Sequence, residues 1–101
     1  MKKLYQGFVA ITTPTALVTA YKNPVSIEDI LLCNVTASAV TVSLHICEST
    51  AGVTASNAIY YNYEVDGNVT DETKNIVVPR GHSLFAIAGT ESALVAVITG
   101  S

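Results

Sequence analysis

The clearest candidates for metal chemistry in this chain are His45 and Cys47, which lie two positions apart. In a β-strand this spacing places both side chains on one face, and imidazole and thiolate are ligands that zinc prefers. A metal site needs at least a third ligand nearby; the one other histidine is His82, and beyond these residues only Cys33 is available to complete a tetrahedral set. We therefore predict no metal and no cofactor, and interpret the pair as polar residues that face solvent or an interface.

Other residues with chemical potential form weaker patterns. No serine or cysteine sits in a nucleophile-elbow sequence, so a catalytic triad has no candidate nucleophile. A group of acidic residues could supply oxygen ligands to calcium, but it lacks the closely alternating oxygens of a dedicated loop. This group consists of Glu64, Asp66, Asp71 and Glu72. The sequence thus predicts no catalytic residues and no enzymatic activity.

Three tyrosines form the most distinctive cluster. In a regular strand Tyr61 and Tyr63 share one face and Tyr60 takes the other. Tyrosine is enriched at protein contacts because it combines an apolar ring with a polar hydroxyl, and its ring can also stack on sugars. We predict a contact surface here. In the alternative interpretation one tyrosine joins the core and two cover an edge of the fold.

The elements that position these residues are predicted to be strands. Val, Ile and Thr make up 33 of the 101 residues, and β-branched side chains suit a pleated surface. Turn residues recur every 8 to 12 positions, which is typical of a sandwich or barrel. We predict one all-β domain over residues 1–101, an antiparallel β-sandwich of jelly-roll or immunoglobulin-like topology. The eight predicted strands are 4–11, 15–21, 26–34, 40–47, 58–65, 74–78, 83–88 and 93–99.

Local patterns add detail. Residues 40–47 alternate apolar and polar side chains, and residues 48–57 form a long, mobile loop of small residues. The Asp66–Gly67 pair predicts a turn in which glycine takes a positive φ. A hairpin centred on 36–39 places Cys33 and Cys47 out of register, so both are predicted to be free thiols. A short helix over 27–32, with Ser26 as its N-cap, is the alternative to a strand there.

Charge and hydropathy limit the function classes. Net charge is −3 and the five basic residues are scattered, which argues against nucleic-acid binding. No stretch approaches the roughly 18 apolar residues that a membrane-spanning helix needs. Gln6 and the Thr-rich residues 12–15 interrupt the apolar start, so we expect no signal peptide and synthesis in a cytoplasm.

The low content of charged residues predicts that part of the surface is covered by other protein. Charged residues make up 13%, against about 25% in an average soluble domain. We expect residues 4–9 and 93–98 to be sheet edges that pair between subunits. The candidate interface residues are Leu4, Tyr5, Phe8, Tyr60, Tyr61, Tyr63, Arg80, His82, Leu94 and Val97.

Several segments resemble small virion proteins of tailed bacteriophages. The resemblance rests on Ile-Leu-Leu-Cys-Asn followed by a Thr-Ala-Ser-Ala turn, on Pro79-Arg80-Gly81, and on the closing stretch 88–100. It implies a non-enzymatic β-sandwich that forms symmetric oligomers, with a trimer favoured. In that family the position after the Pro-x-Gly turn is often acidic, whereas here it is His82.

The resemblance implies a capsid decoration or cement subunit located in the virion. Its partners would be other copies of the chain and either the major capsid protein or a neighbouring tail protein. The alternative is a tail-fibre or receptor-binding module that recognises host-surface glycan through the tyrosines and the 48–57 loop. A small enzyme or metal protein is the least favoured interpretation.

Overall fold

The alternation of side chains along the chain produces eight strands. The computed structural model describes residues 2–101. Its strands are β1 Lys2–Phe8, β2 Thr15–Thr19, β3 Val25–Asn34, β4 Val40–Cys47, β5 Ala58–Val65, β6 Thr70–Val78, β7 Ser83–Ala88 and β8 Leu94–Gly100. Two short 3-10 turns, Thr50–Gly52 and Ala55–Asn57, lie between β4 and β5. The alternative helix over 27–32 is wrong, because β3 runs extended through this whole segment.

The strands form two antiparallel four-stranded sheets. The first sheet has the order β1-β8-β3-β6 and the second has the order β2-β7-β4-β5. The hydrogen-bonded neighbours therefore include the pairs β1 and β8, β2 and β7, β3 and β6, and β4 and β5. This is the pairing of one long antiparallel hairpin folded into two layers. This is the strand order of a jelly roll. The predicted β-sandwich of about eight strands is confirmed, and its topology is not immunoglobulin-like, since β1 and β2 belong to different sheets.

The predicted hairpin centred on 36–39 is wrong. β3 pairs with β6 and β8, whereas β4 pairs with β5 and β7, so residues 35–39 cross from one sheet to the other. Strands that are consecutive in sequence need not pair when placing them in opposite sheets buries more apolar surface. Cys33 and Cys47 are nevertheless both free thiols, as predicted.

The core lies between the two sheets. Inward residues of β8 are Leu94, Ala96 and Ile98, all fully buried against apolar residues of the second sheet. β8 is paired on both sides, by β1 and by β3. The prediction that 93–98 is an edge is therefore wrong, whereas β1, within the predicted 4–9 region, does lie at an edge.

A buried asparagine organises one end of the sandwich. The Asn34 amide nitrogen donates to the carbonyl oxygens of Ser38 at 2.7 Å and Val65 at 2.9 Å. Its Oδ1 accepts from the Thr36 amide at 2.9 Å and from the Thr36 hydroxyl at 2.7 Å. One side chain thus links β3, the crossover and the end of β5, and no polar atom of Asn34's amide is left unpaired.

The predicted turn after β5 is present, but glycine plays a different part in it. Asn68, not Gly67, takes the positive φ, at 59°. A side chain on Gly67 would collide with the backbone of Ala37, so glycine is required there for close approach to the crossover. The Val69 amide closes the turn onto the Asp66 carbonyl.

All four edge strands are irregular. The pairing register shifts in β1 between Lys3 and Tyr5, in β2 between Ala16 and Val18, and twice along β5. β6 contains Asn75 at a φ of 60°. Bulges and edge lysines hinder the addition of a further strand. Contacts with other proteins are therefore better suited to the sheet faces than to the edges.

Candidate functional site

The outer face of the first sheet carries a continuous apolar surface. Phe8 lies opposite Val95, which lies opposite Cys33, and in the next row Val97 lies opposite Leu31. Because the alternate residues of β3 and β8 point into the core, these side chains point outward. We call this surface the apolar stripe; it consists of Phe8, Leu31, Cys33, Val35, Val95 and Val97. Phe8 is 51% exposed, although a large apolar ring gains by burial.

Polar residues border one end of the apolar stripe. Lys3, Thr99, Asp29 and Lys74 form a row across the same face. Among residues 2–101, Asp29 Oδ1 is the one buried side-chain oxygen or nitrogen with no hydrogen-bond partner. A buried carboxylate oxygen without a donor is unfavourable, so the polar end of the stripe carries an unsatisfied hydrogen-bond acceptor.

The predicted interface residues on β1 and β8 divide into three groups. Phe8 and Val97 lie together in the apolar stripe. Leu4 and Tyr5, both on β1, are half-buried against the core. Leu94 is 0% exposed, so its prediction as an interface residue is wrong: its side chain points inward because β8 is a central strand.

A bulge in β5 rearranges the three tyrosines. Asn62 adopts a φ of 49°, and Tyr63 pairs with Val42 whereas Tyr60 pairs with Leu44. The extra residue reverses the expected alternation, so Tyr60 and Tyr63 lie together, with ring centroids 4.7 Å apart. The prediction that Tyr61 and Tyr63 share a face is therefore wrong. Tyr61 lies on the outer face of the second sheet, edge-on to His45.

Tyr60 and Tyr63 join the two sheets at one side of the sandwich. The Tyr63 hydroxyl donates to Asp71 Oδ2 at 2.7 Å, and Tyr60 hydrogen-bonds to Thr73. The bond to Asp71, followed by desolvation and the negative charge of the carboxylate, raises the pKa of Tyr63 from its ordinary value of 10.0. These two tyrosines close the edge between β5 and β6, as the alternative interpretation expects of two of the three. The third, Tyr61, is 60% exposed and does not join the core.

His45 holds the β4–β5 connection against the second sheet. Its Nδ1 lies 3.0 Å from both the Thr54 carbonyl and Asn57 Oδ1, and since both are acceptors, Nδ1 carries the proton. The connection covers His45, which is only 3% exposed. Residues 48–57, predicted as a mobile loop, contain two 3-10 turns, and Thr54 and Asn57 hydrogen-bond to His45 on the polar face of β4.

The remaining sequence candidates lie apart from these surfaces. Arg80 is exposed in the β6–β7 turn and His82 is half-buried, with Nδ1 3.3 Å from the Arg80 carbonyl. The Cys47 thiol donates to the Ser49 carbonyl. Within residues 2–101 no three His, Cys, Asp or Glu side chains are grouped to hold a metal. The same residues contain no helix long and apolar enough to cross a membrane.

The interface residues predicted from the sequence do not include Leu31, Cys33, Val35 and Val95 of the apolar stripe. The signal was present, since Leu31-Leu32 and Leu94-Val95 each place apolar side chains on both faces of one strand. Comparison with known proteins returned no matching family model, no matching curated protein and no matching solved structure. The resemblance to phage virion proteins therefore stays a prediction from the sequence.

Proposed function

We propose that this chain is a non-enzymatic structural subunit of a tailed-phage virion, most simply a capsid decoration or cement protein. In this role it binds other copies of itself, with a trimer favoured, and either the major capsid protein or a neighbouring tail protein. The observation that carries the proposal is the apolar stripe, in which Phe8 and Val35 are each 51% exposed, on the face of a sheet whose other face already forms the core.

The surface of the isolated chain has an ordinary size but an unusual composition. Its accessible area is 5437 Å², close to the roughly 5470 Å² expected of a monomer of 10.6 kDa. Charged residues, however, make up only 13% of the chain. A standard interface of about 800 Å² per partner would cover about 15% of this surface and would include the apolar stripe. Depletion of charge is typical of such interface cores.

The fold is compatible with the proposal but is shared by several functional classes. Jelly rolls occur in viral capsid domains, and also in lectins and in cupin enzymes, so the fold by itself does not select a function. Contact through a face suits a symmetric shell because each copy repeats the same modest interaction, and neighbouring copies raise the effective concentration. The irregular edges of all four edge strands favour such face contacts over strand addition.

Two measurements on the purified chain test the proposal. Light scattering is expected to give a defined oligomer, and sedimentation with empty tailed-phage capsids is expected to bring the chain down in a saturable, stoichiometric amount. A monomer at high concentration that stays in the supernatant with every capsid would contradict the proposal.

A further inference from the structure

A small cleft opens on the outer face of the second sheet. Its volume is about 150 Å³ and it is bounded by β4, β5 and the end of β7. Ile87 lies opposite Ser43 across one side, and the Gly89 amide donates to the Thr41 carbonyl at 2.9 Å at one end. The residues that line the cleft are Thr41, Val42, Ser43, Asn62, Ile87, Ala88 and Gly89.

The polar groups of the cleft are held in place by the β5 bulge. The buried Ser43 hydroxyl accepts from the Asn62 backbone amide at 2.9 Å and lies 3.5 Å from Asn62 Oδ1. This arrangement holds Asn62 in the left-handed region, which asparagine adopts more readily than most residues other than glycine. The bond to Ser43 thus fixes the Asn62 backbone beside the cleft.

Two hydrogen-bonding groups in the cleft remain available. Neither the Asn62 side-chain amide nitrogen nor the Thr41 hydroxyl bonds to another side chain or backbone group among the residues that the structure describes. Gly89 keeps one end open, because a side chain there would collide with the Thr41 hydroxyl. A donor-rich amide and a hydroxyl therefore face the same small volume, beside the apolar side chain of Ile87.

The chemistry of the lining selects a class of ligand. None of the seven lining residues is charged, so the cleft offers nothing to neutralise an ionic ligand. Its volume is about half that of the smallest common drug-sized pockets, of about 300 Å³. Hydroxyl groups both donate and accept, which matches Thr41 and Asn62, and a sugar ring also presents an apolar face of C–H groups.

We propose that the cleft between β4, β5 and β7 binds one residue of a neutral saccharide. The amide of Asn62 and the hydroxyl of Thr41 bind sugar hydroxyls, and Ile87 contacts the apolar face of the ring. On the same outer face, His45 lies two residues along β4 from Ser43, and the Tyr61 ring of β5 contacts it edge-on. Tyr61 is 60% exposed. A second sugar residue that leaves the cleft in this direction meets the Tyr61 ring, which is suited to stacking.

The cleft and the apolar stripe lie on opposite outer faces of the sandwich. A subunit that binds its neighbours through the apolar stripe therefore keeps the cleft open to solvent. The saccharide site does not depend on the proposed assembly, and each can fail while the other holds.

Amide-resolved NMR titration tests the site with four probes: the methyl glycosides of glucose, galactose, mannose and N-acetylglucosamine. At least one is expected to give saturable shifts of the Thr41, Ser43, Ile87 and Gly89 amides, with a Kd on the order of 1 mM. Asn62→Gly keeps the left-handed backbone but removes the amide, and is expected to weaken binding roughly tenfold. Asn75→Gly, which replaces another left-handed asparagine away from the cleft, is the matched control and leaves binding unchanged.

Thr41→Val provides a second variant that keeps the β-branched shape and loses only the hydroxyl. The NMR spectrum of Asn62→Gly shows whether that change disturbs the β5 bulge. If it does, the effect of Thr41→Val on binding tests the saccharide site instead. Absence of saturable shifts with all four glycosides would overturn the proposal. So would binding that stays at the wild-type level in a folded Asn62→Gly or Thr41→Val variant.

Discussion

Phe8 lies directly opposite Val95 on the outer face of the first sheet, and half of the Phe8 side chain is exposed. The same row continues to Cys33 on β3. Cross-strand pairs of this kind normally gain stability by burial, and here the burial is incomplete. The pair forms the β1 side of the surface through which we propose that the chain assembles.

Chemical labelling of Cys33 reports whether the apolar stripe is covered. Cys33 is half-buried in the isolated chain, whereas Cys47 is buried under the β4–β5 connection. We expect maleimide to modify Cys33 in dilute solution and to react markedly more slowly at concentrations where the chain assembles. Mass spectrometry of the digested protein distinguishes the two thiols. A Cys33 rate that is independent of concentration would contradict coverage of the stripe.

Asn34→Ala tests the buried polar link at one end of the sandwich. The change leaves the Ser38 and Val65 carbonyls without their donor. Unpaired buried polar groups are costly, so we expect a loss of about 3 kcal/mol in the free energy of unfolding, measured by urea denaturation. Asn23→Ala, at an exposed turn, is the control and is expected to change it by less than about 0.5 kcal/mol. Equal effects of the two changes would refute the role of Asn34.

His45→Phe tests how the β4–β5 connection is held. Phenylalanine retains an aromatic ring beside Tyr61 but cannot donate to Thr54 and Asn57. We expect faster amide hydrogen exchange in residues 50–57 with little change elsewhere, since this connection would open locally. His82→Phe, at a half-buried surface position, is the control. Unchanged exchange in 50–57 would show that packing alone holds the connection.

Tyr63→Phe is expected to make the free energy of unfolding less dependent on pH in the alkaline range. The folded state raises the pKa of Tyr63, so it binds the phenol proton more tightly than the unfolded state does. The stabilisation is fully present below the ordinary value of 10.0 and is lost as pH rises through the raised value. Wild type should therefore lose more stability above pH 10.0 than Tyr63→Phe in denaturant titrations. Parallel pH profiles would contradict this.

Side-chain alternation predicted the strands well and their neighbours poorly. The pattern in 40–47 predicted β4, because a period of two reports which residues face the core. The period of two carries no information on which strand lies alongside. It therefore favours a hairpin centred on 36–39, where the chain crosses between the two sheets. The apolar run around 94–98 marks a central strand with one face in the core and one in the apolar stripe, rather than an edge.

The tyrosine arrangement depended on a single residue. Asn62 interrupts a strand of tyrosines, and asparagine is enriched in the left-handed region where bulges form. Without that bulge Tyr61 would share a face with Tyr63. The apolar stripe and the cleft were not predicted for a related reason, since each joins residues from three strands whose pairing only the fold defines.

The molecular mass of three proteins in solution tests the central claim most directly. Size-exclusion chromatography with light scattering compares wild type, Phe8→Ser and Tyr21→Ser. Tyr21 is 84% exposed but lies outside the apolar stripe, so it controls for loss of surface hydrophobicity. We expect wild type and Tyr21→Ser to form the same oligomer and Phe8→Ser to be a folded monomer. A monomeric wild type, or an oligomer that Phe8→Ser leaves intact, would contradict assembly through the apolar stripe.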